Sequence, residues 1–87
     1  MDLHMPTAKE IINERQATHG SYDENARIAQ ATKDLWRSGR NWSALTPRQR
    51  ESLELIATKV GRILAGDPDC PDHYRDIAGY AVLATET

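Results

Sequence analysis

Four helix-like segments, separated by glycine and proline, constrain the fold of this 87-residue chain more than any other feature. Thr7-Ala-Lys-Glu10 and Ser21-Tyr-Asp-Glu24 both have the pattern of a capping box, in which a hydroxyl and a carboxylate satisfy the first free amides of a helix. Thr46-Pro47 and Pro71 mark two further starts, because proline is favoured at the first helical position. We therefore predict helices from Thr7 to about Gln16, from Ser21 to about Arg37, from Thr46 to Gly66 and from Pro71 to about Thr85.

The third segment has the most regular apolar pattern. Its apolar residues recur at the i, i+3, i+4, i+7 spacing of one helix face: Leu53, Ile56, Ala57, Val60, Ile63 and Leu64. The corresponding face of the fourth segment contains Tyr74, Ile77, Ala78 and Ala81, and Gly79 indicates a close contact there with another helix or a ligand. No strand-like alternation competes with these patterns. We predict an all-α, four-helix arrangement in which the last two helices form an antiparallel hairpin.

The chain is short enough to form one domain, residues 1–87. Within it we expect a flexible N-terminus over residues 1–6 and an interhelical connection over residues 38–46. A core of this size contributes about 3–5 kcal/mol of stability, and the apolar faces of the first two helices are thin. We therefore expect a second copy to complete the bundle, giving a homodimer or a higher homo-oligomer.

Composition excludes several classes of function. The net charge of −2 argues against a nucleic-acid-binding protein. The single cysteine, Cys70, excludes an internal disulfide framework and a cysteine-based zinc site. No apolar stretch approaches the roughly 20 residues of a membrane span, and the first residues lack a signal-peptide pattern. These features predict a cytoplasmic protein with no membrane partner.

Acidic residues form the sharpest candidate for chemistry. Glu51 and Glu54 lie three residues apart early in the third helix, and His73 and Asp76 have the same spacing in the fourth. Residues at this spacing lie on one helix face, so a hairpin can bring the four together. Oxygen-rich clusters of this kind hold Mg²⁺, usually together with substrate phosphates. The alternative is that all four are ordinary first-turn residues, favoured there by the helix dipole.

Two further groups could hold phosphate. Lys59 and Arg62 lie on the third helix, where the alternative is a solvated flank. His19, Tyr22 and Asn25 surround a glycine and a helix start, which presents free amides to an anion. Capping explains Gly20, Ser21 and Glu24 but not these three residues.

A cluster of arginine and tryptophan around the central connection suggests a protein interface, because Trp and Arg are enriched in such interfaces. The residues concerned are Arg37, Arg40, Trp42 and Arg48. The same composition can bind single-stranded nucleic acid, but the charge is only local.

Three motifs in order resemble a family of small phage and prophage proteins. They are His19-Gly-Ser-Tyr-Asp-Glu-Asn-Ala-Arg-Ile28, Lys59-Val-Gly-Arg-Ile63 and Asp72-His-Tyr-Arg-Asp-Ile-Ala-Gly-Tyr80, and the resemblance covers about residues 10–84. It implies a location in the host cytoplasm.

More distantly, the layout resembles the MazG-type all-α nucleoside-triphosphate pyrophosphohydrolases, which hold Mg²⁺ between paired acidic residues on facing helices. The resemblance implies that Glu51, Glu54 and Asp76 bind Mg²⁺ or Mn²⁺. His73 replaces a glutamate of that pattern and would act as ligand or base. His19, Tyr22, Asn25, Lys59, Arg62 and Tyr80 would contact the nucleotide. We expect a nucleotide-binding protein with this activity; the alternative is a non-catalytic protein that binds and inhibits or redirects a host protein.

Overall fold

Four α-helices and one short 3₁₀ helix make up the structure, a computed structural model that describes residues 5–86 except the side chains of residues 17 and 18. The helices are α1 (Ala8–His19), α2 (Tyr22–Arg37), α3 (Pro47–Ala65) and α4 (Pro71–Thr85), with the 3₁₀ helix at Trp42–Ala44. The described residues contain no strand, so the predicted all-α class is confirmed. Of the N-terminal segment predicted to be flexible, residues 1–4 lie outside the described part.

The helix starts follow the predicted capping chemistry. The Thr7 hydroxyl accepts a hydrogen bond from the Glu10 amide at 3.1 Å, and the Glu10 carboxylate accepts one from the Thr7 amide at 3.3 Å. Ser21 accepts the corresponding bond from the Glu24 amide, but the reciprocal bond from the Ser21 amide to the Glu24 carboxylate is not formed, so the predicted second capping box is only half present. Thr46 forms a complete capping box with Gln49, and Pro47 occupies the first turn. α1 continues three residues beyond the predicted Gln16, so that His19 is its last residue.

α3 is the central helix, and it packs along α2 on one side and along α4 on the other. Arg48, near its start, donates a hydrogen bond to the Leu83 carbonyl at the end of α4. Lys59, further along, pairs with Asp76 nearer the start of α4. This order of contacts confirms the predicted antiparallel hairpin. α1 touches the bundle much less, mainly where its C-terminal end meets the end of α3.

Small residues form the buried centre between α2 and α3. Ala57 is fully buried, Ala29 is 5% exposed, and no large described side chain is completely buried. Gly61 follows Ala57 by one helical turn and is also buried. A Cβ atom at Gly61 would lie 3.5 Å from the Ala29 Cβ, so α2 and α3 approach closely at this point.

Several apolar side chains predicted to be internal are exposed. On α4 the inward face contains His73, Ile77, Tyr80 and Ala84. Ile77 was predicted there correctly, whereas the predicted Tyr74, Ala78 and Ala81 are exposed. The helix is rotated so that the polar His73, which is 2% exposed, lies inside, whereas Tyr74 is 51% exposed. A Cβ at Gly79 would meet no atom of the described residues within 4 Å, so these residues do not make the close contact expected there. The oligomer that would cover this surface remains a prediction.

Candidate anion-binding site

A cavity of about 460 Å³ opens between α1, the start of α2 and the later part of α3. Its lining is contributed by three helices and the link between two of them: Ile12, Arg15, Gln16, His19, Gly20, Tyr22, Asn25 and Arg62. The volume lies in the usual range of small-molecule sites, about 300–1,000 Å³. Four of the residues predicted to contact a nucleotide, His19, Tyr22, Asn25 and Arg62, are therefore brought together here.

Gly20 holds the two sides of the cavity in place. Its φ of +72° lies in the left-handed region that favours glycine. A Cβ at this position would also overlap the Ala65 carbonyl at the end of α3. The backbone after α1 can therefore lie directly against α3, which carries His19 to the edge of the bundle.

Two histidines meet behind the cavity. The His19 ring lies edge-on to the His73 ring with 4.9 Å between their centres, and His73 is only 2% exposed. Burial lowers the pKa of His19 below its ordinary value, and the nearby charges of Arg62, His73 and Lys59 lower it further, while a hydrogen bond to the Arg15 backbone acts in the opposite direction. Positive charge is thus concentrated around His19. A bound anion would offset this charge and raise the pKa of His19 again.

Two buried polar atoms of the cavity residues have no hydrogen-bond partner among the described residues. They are Nε of Arg62 and Oδ1 of Asn25. An unsatisfied buried polar group costs about 1–3 kcal/mol, and more if it is charged. A guanidinium group has N–H donors and no acceptor, so the buried Nε–H of Arg62 lacks an acceptor among the described residues, next to a cavity that could contain one.

The other two residues predicted to contact the nucleotide do not line the cavity. The Lys59 Nζ lies 2.7 Å from Oδ2 of Asp76. The Lys59 hydrogen bond is the main reason why the pKa of Asp76 falls below its ordinary value, and the charges of His73 and Arg62 act in the same direction. Tyr80 lies half-buried on α4. Lys59 therefore acts on the cavity through its positive charge and is not part of the cavity wall.

The predicted metal-binding residues are held apart by other partners. The Glu54 Oε1 accepts hydrogen bonds from Nε and Nη2 of Arg37 at 2.9 and 2.6 Å. Asp76 is bound to Lys59, and Glu51 is exposed. Among the described residues no three His, Cys, Asp or Glu side chains lie close enough to hold a metal ion. The structure therefore does not gather the four residues at one point, and binding of Mg²⁺ or Mn²⁺ stays a prediction.

The arginine and tryptophan cluster divides in two. Arg40 and Trp42 line a second cavity of about 440 Å³ together with Trp36, Leu45 and Leu53. Arg37 is committed to Glu54, and Arg48 bonds to the Leu83 carbonyl and lies 3.9 Å from the Glu86 carboxylate. Arg37 and Arg48 nevertheless remain 42% and 51% exposed, and a protein interface formed by these four residues stays a prediction.

Three residues of the first cavity were missed by the sequence analysis: Ile12, Arg15 and Gln16. A signal was present, since Ile12, Arg15, Gln16 and His19 follow the i, i+3, i+4, i+7 spacing of a single helix face. Ending the first helix at about Gln16 hid this relation, because it left His19 outside the helix.

Residues 4–87 match the family described as a domain of unknown function, DUF6378, and the chain belongs to that family. No curated protein and no solved structure matches the sequence. Within the described part of the chain, each helix is too short or too polar to cross a membrane.

Proposed function

We propose that this member of the DUF6378 family binds a nucleotide through its phosphate in the cavity between α1 and α3. The observation that carries the proposal is the buried Nε of Arg62, which has no acceptor among the described residues and belongs to a side chain in the cavity wall. Phosphate oxygens accept from guanidinium groups in a bidentate geometry, and such charge-assisted bonds are stronger than neutral ones.

The rest of the wall supports the same ligand chemistry. Arg15 and His19 approach from α1, and Lys59 adds positive charge from behind. None of the described residues that line the wall is acidic. Tyr22 and Ile12 provide flat and apolar surface that suits a base or sugar. These features favour a ligand that is anionic at one end and partly apolar at the other.

Binding is tested by isothermal titration calorimetry with inorganic phosphate, a nucleoside and its mono-, di- and triphosphates. We expect the phosphorylated compounds to bind and the nucleoside to bind much more weakly. Replacing Arg62 by Gln should weaken binding about 10- to 100-fold, because hydrogen bonds to charged groups contribute about 1.5–3 kcal/mol. The matched control is Arg75→Gln, since Arg75 is 77% exposed on α4 and pairs only locally with Asp72. Equal affinity of both variants would contradict the proposal.

Pyrophosphohydrolase activity, which the MazG resemblance implies, is a further proposal with its own assay. Release of pyrophosphate from a panel of nucleoside triphosphates is measured with Mg²⁺ or Mn²⁺, for the wild type and for Glu54→Gln. Release that depends on the metal and on Glu54 would mean that Glu54 leaves Arg37 in the active state. Binding without release would leave a nucleotide-binding protein.

The second candidate is a non-catalytic protein that binds a host protein. The cavity beside Trp36 and Trp42 favours it, because Arg40 at its edge adds a charged contact to an aromatic surface. A pull-down with the wild type, Trp42→Ala and Arg62→Gln tests this candidate. One defined partner that is lost only with Trp42→Ala would support it.

A further inference from the structure

Gly61 and Asn25 make an unusual contact at one side of the cavity. A Cβ atom at Gly61 would overlap Oδ1 of Asn25 and would lie 3.1 Å from the Asn25 backbone oxygen. The Asn25 side chain therefore occupies the space that any other residue at position 61 would need. Asn25 is 9% exposed and Gly61 is buried, so a side chain at position 61 could be accommodated only if the Asn25 amide turned away from α3.

This contact favours one orientation of the Asn25 amide. Oδ1 is buried against the Gly61 backbone without a conventional donor among the described residues. A Cα–H of glycine is a weak donor to such an oxygen, which favours oxygen rather than nitrogen on this side. Because Asn25 also lines the cavity, its Nδ2 is the amide atom left to face the ligand. The amide then acts as a donor, as do Arg62 and Arg15 in the same wall.

We infer that Asn25 binds the ligand's phosphate through Nδ2 and that Gly61 is the positioning residue that holds it there. The inference rests on the proposed nucleotide-binding function and specifies the phosphate end as the part of the ligand next to Asn25. Gly61 touches no ligand itself. It acts by having no side chain, which leaves room for Oδ1 and thereby directs Nδ2 into the cavity.

A double-mutant cycle tests the inference, with binding of inorganic phosphate measured by calorimetry. Asn25→Ala and Gly61→Ala should each weaken binding about tenfold, as expected for losing one hydrogen bond to an anion. The double variant should bind no more weakly than Asn25→Ala alone, because Gly61 has no role once the amide is gone. Asn25→Asp, which preserves the shape but replaces the donor with a carboxylate, should lose more affinity than Asn25→Ala. Losses that multiply in the double variant would overturn the inference, and so would wild-type affinity in Asn25→Ala.

Gly79→Ala is the matched control, since Gly79 also lies inside a helix but a Cβ there meets nothing within 4 Å. It should leave phosphate affinity unchanged. Nuclear magnetic resonance (NMR) gives a reading without ligand: Gly61→Ala should shift the side-chain amide signals of Asn25, and Gly79→Ala should not. Unshifted signals in Gly61→Ala would overturn the positioning role whatever the ligand. If the wild type binds phosphate through Arg62 but not through Asn25, the proposed function stands and this inference fails.

Discussion

α1 and α3 begin with nearly the same hydrogen bonds and yet have opposite roles in the fold. The hydroxyl of Thr7 and that of Thr46 each accept a hydrogen bond of 3.1 Å from the amide three residues later. α3 buries Ser52, Ala57 and Gly61 between its neighbours, whereas every side chain of α1 from residue 8 to residue 16 is exposed. Capping therefore starts both helices, but only packing makes a helix part of the core.

The two helices should differ most in how much stability is lost when an alanine is replaced by a larger side chain. Ala57→Leu should lower the free energy of unfolding by about 1–3 kcal/mol, because a fully buried site must accept a larger side chain. Ala8→Leu on exposed α1 should change it by less than about 0.5 kcal/mol. Urea denaturation followed by circular dichroism measures both variants. Equal losses would mean that α1 is covered in solution as thoroughly as α3.

Removing the threonine cap from each helix should give a smaller difference between α1 and α3 in its effect on stability. Thr46→Ala should lower global stability by about 1 kcal/mol, the usual effect of losing a threonine cap. Thr7→Ala should instead increase local opening of α1 with little change in global unfolding. Amide hydrogen exchange separates the two, since residues of α3 should report the first change and only residues of α1 the second. Faster exchange throughout the chain in Thr7→Ala would contradict this expectation.

The smallest effect concerns pH at the point where α1 meets the bundle. The pKa of His19 in the folded chain lies below its ordinary value of 6.5. As the pH falls, the imidazole is therefore protonated in the unfolded chain before it is protonated in the folded chain. The contribution of His19 to stability is therefore complete above about pH 6.5 and is lost as the pH drops through its folded pKa. The melting temperature should fall between about pH 7.5 and pH 5.5, and less so in His19→Gln.

Phosphate provides a control for this last expectation. A bound anion favours the protonated imidazole, so inorganic phosphate should reduce the loss of stability at low pH in the wild type. It should have a smaller effect in His19→Gln. An identical effect of phosphate in both proteins would place the anion away from His19.

Features encoded by neighbouring residues were predictable from sequence. The caps at Thr7 and Thr46 depend on residues three positions apart, and the antiparallel hairpin follows from the short link before Pro71. The rotation of α4 was not predictable in this way. Both Tyr74 and His73 could have faced α3, and hydrophobicity favoured the wrong one of the two.

The separation of Glu54 from Asp76 illustrates a limit of spacing arguments. An i, i+3 pair fixes which residues share a helix face, but not which face points to a neighbouring helix. Glu54 lies on the side of α3 that faces α2, where Arg37 binds it, while Asp76 meets Lys59 from α4. The cavity was partly predictable, because His19, Tyr22 and Asn25 had no role in capping. Gly61 was visible as a glycine inside a helix, but nothing in the sequence linked it to Asn25.

The anchoring of α1 at one end has a consequence for how strongly the cavity can bind. Ile12, Arg15, Gln16 and His19 reach the cavity only while α1 is docked, and the contacts that dock it are concentrated near His19 and Gly20. The apparent dissociation constant equals the intrinsic one divided by the fraction of molecules with α1 in place. Affinity is thus set partly by a conformational population, and substitutions that only strengthen the docking of α1 would tighten binding without touching the ligand.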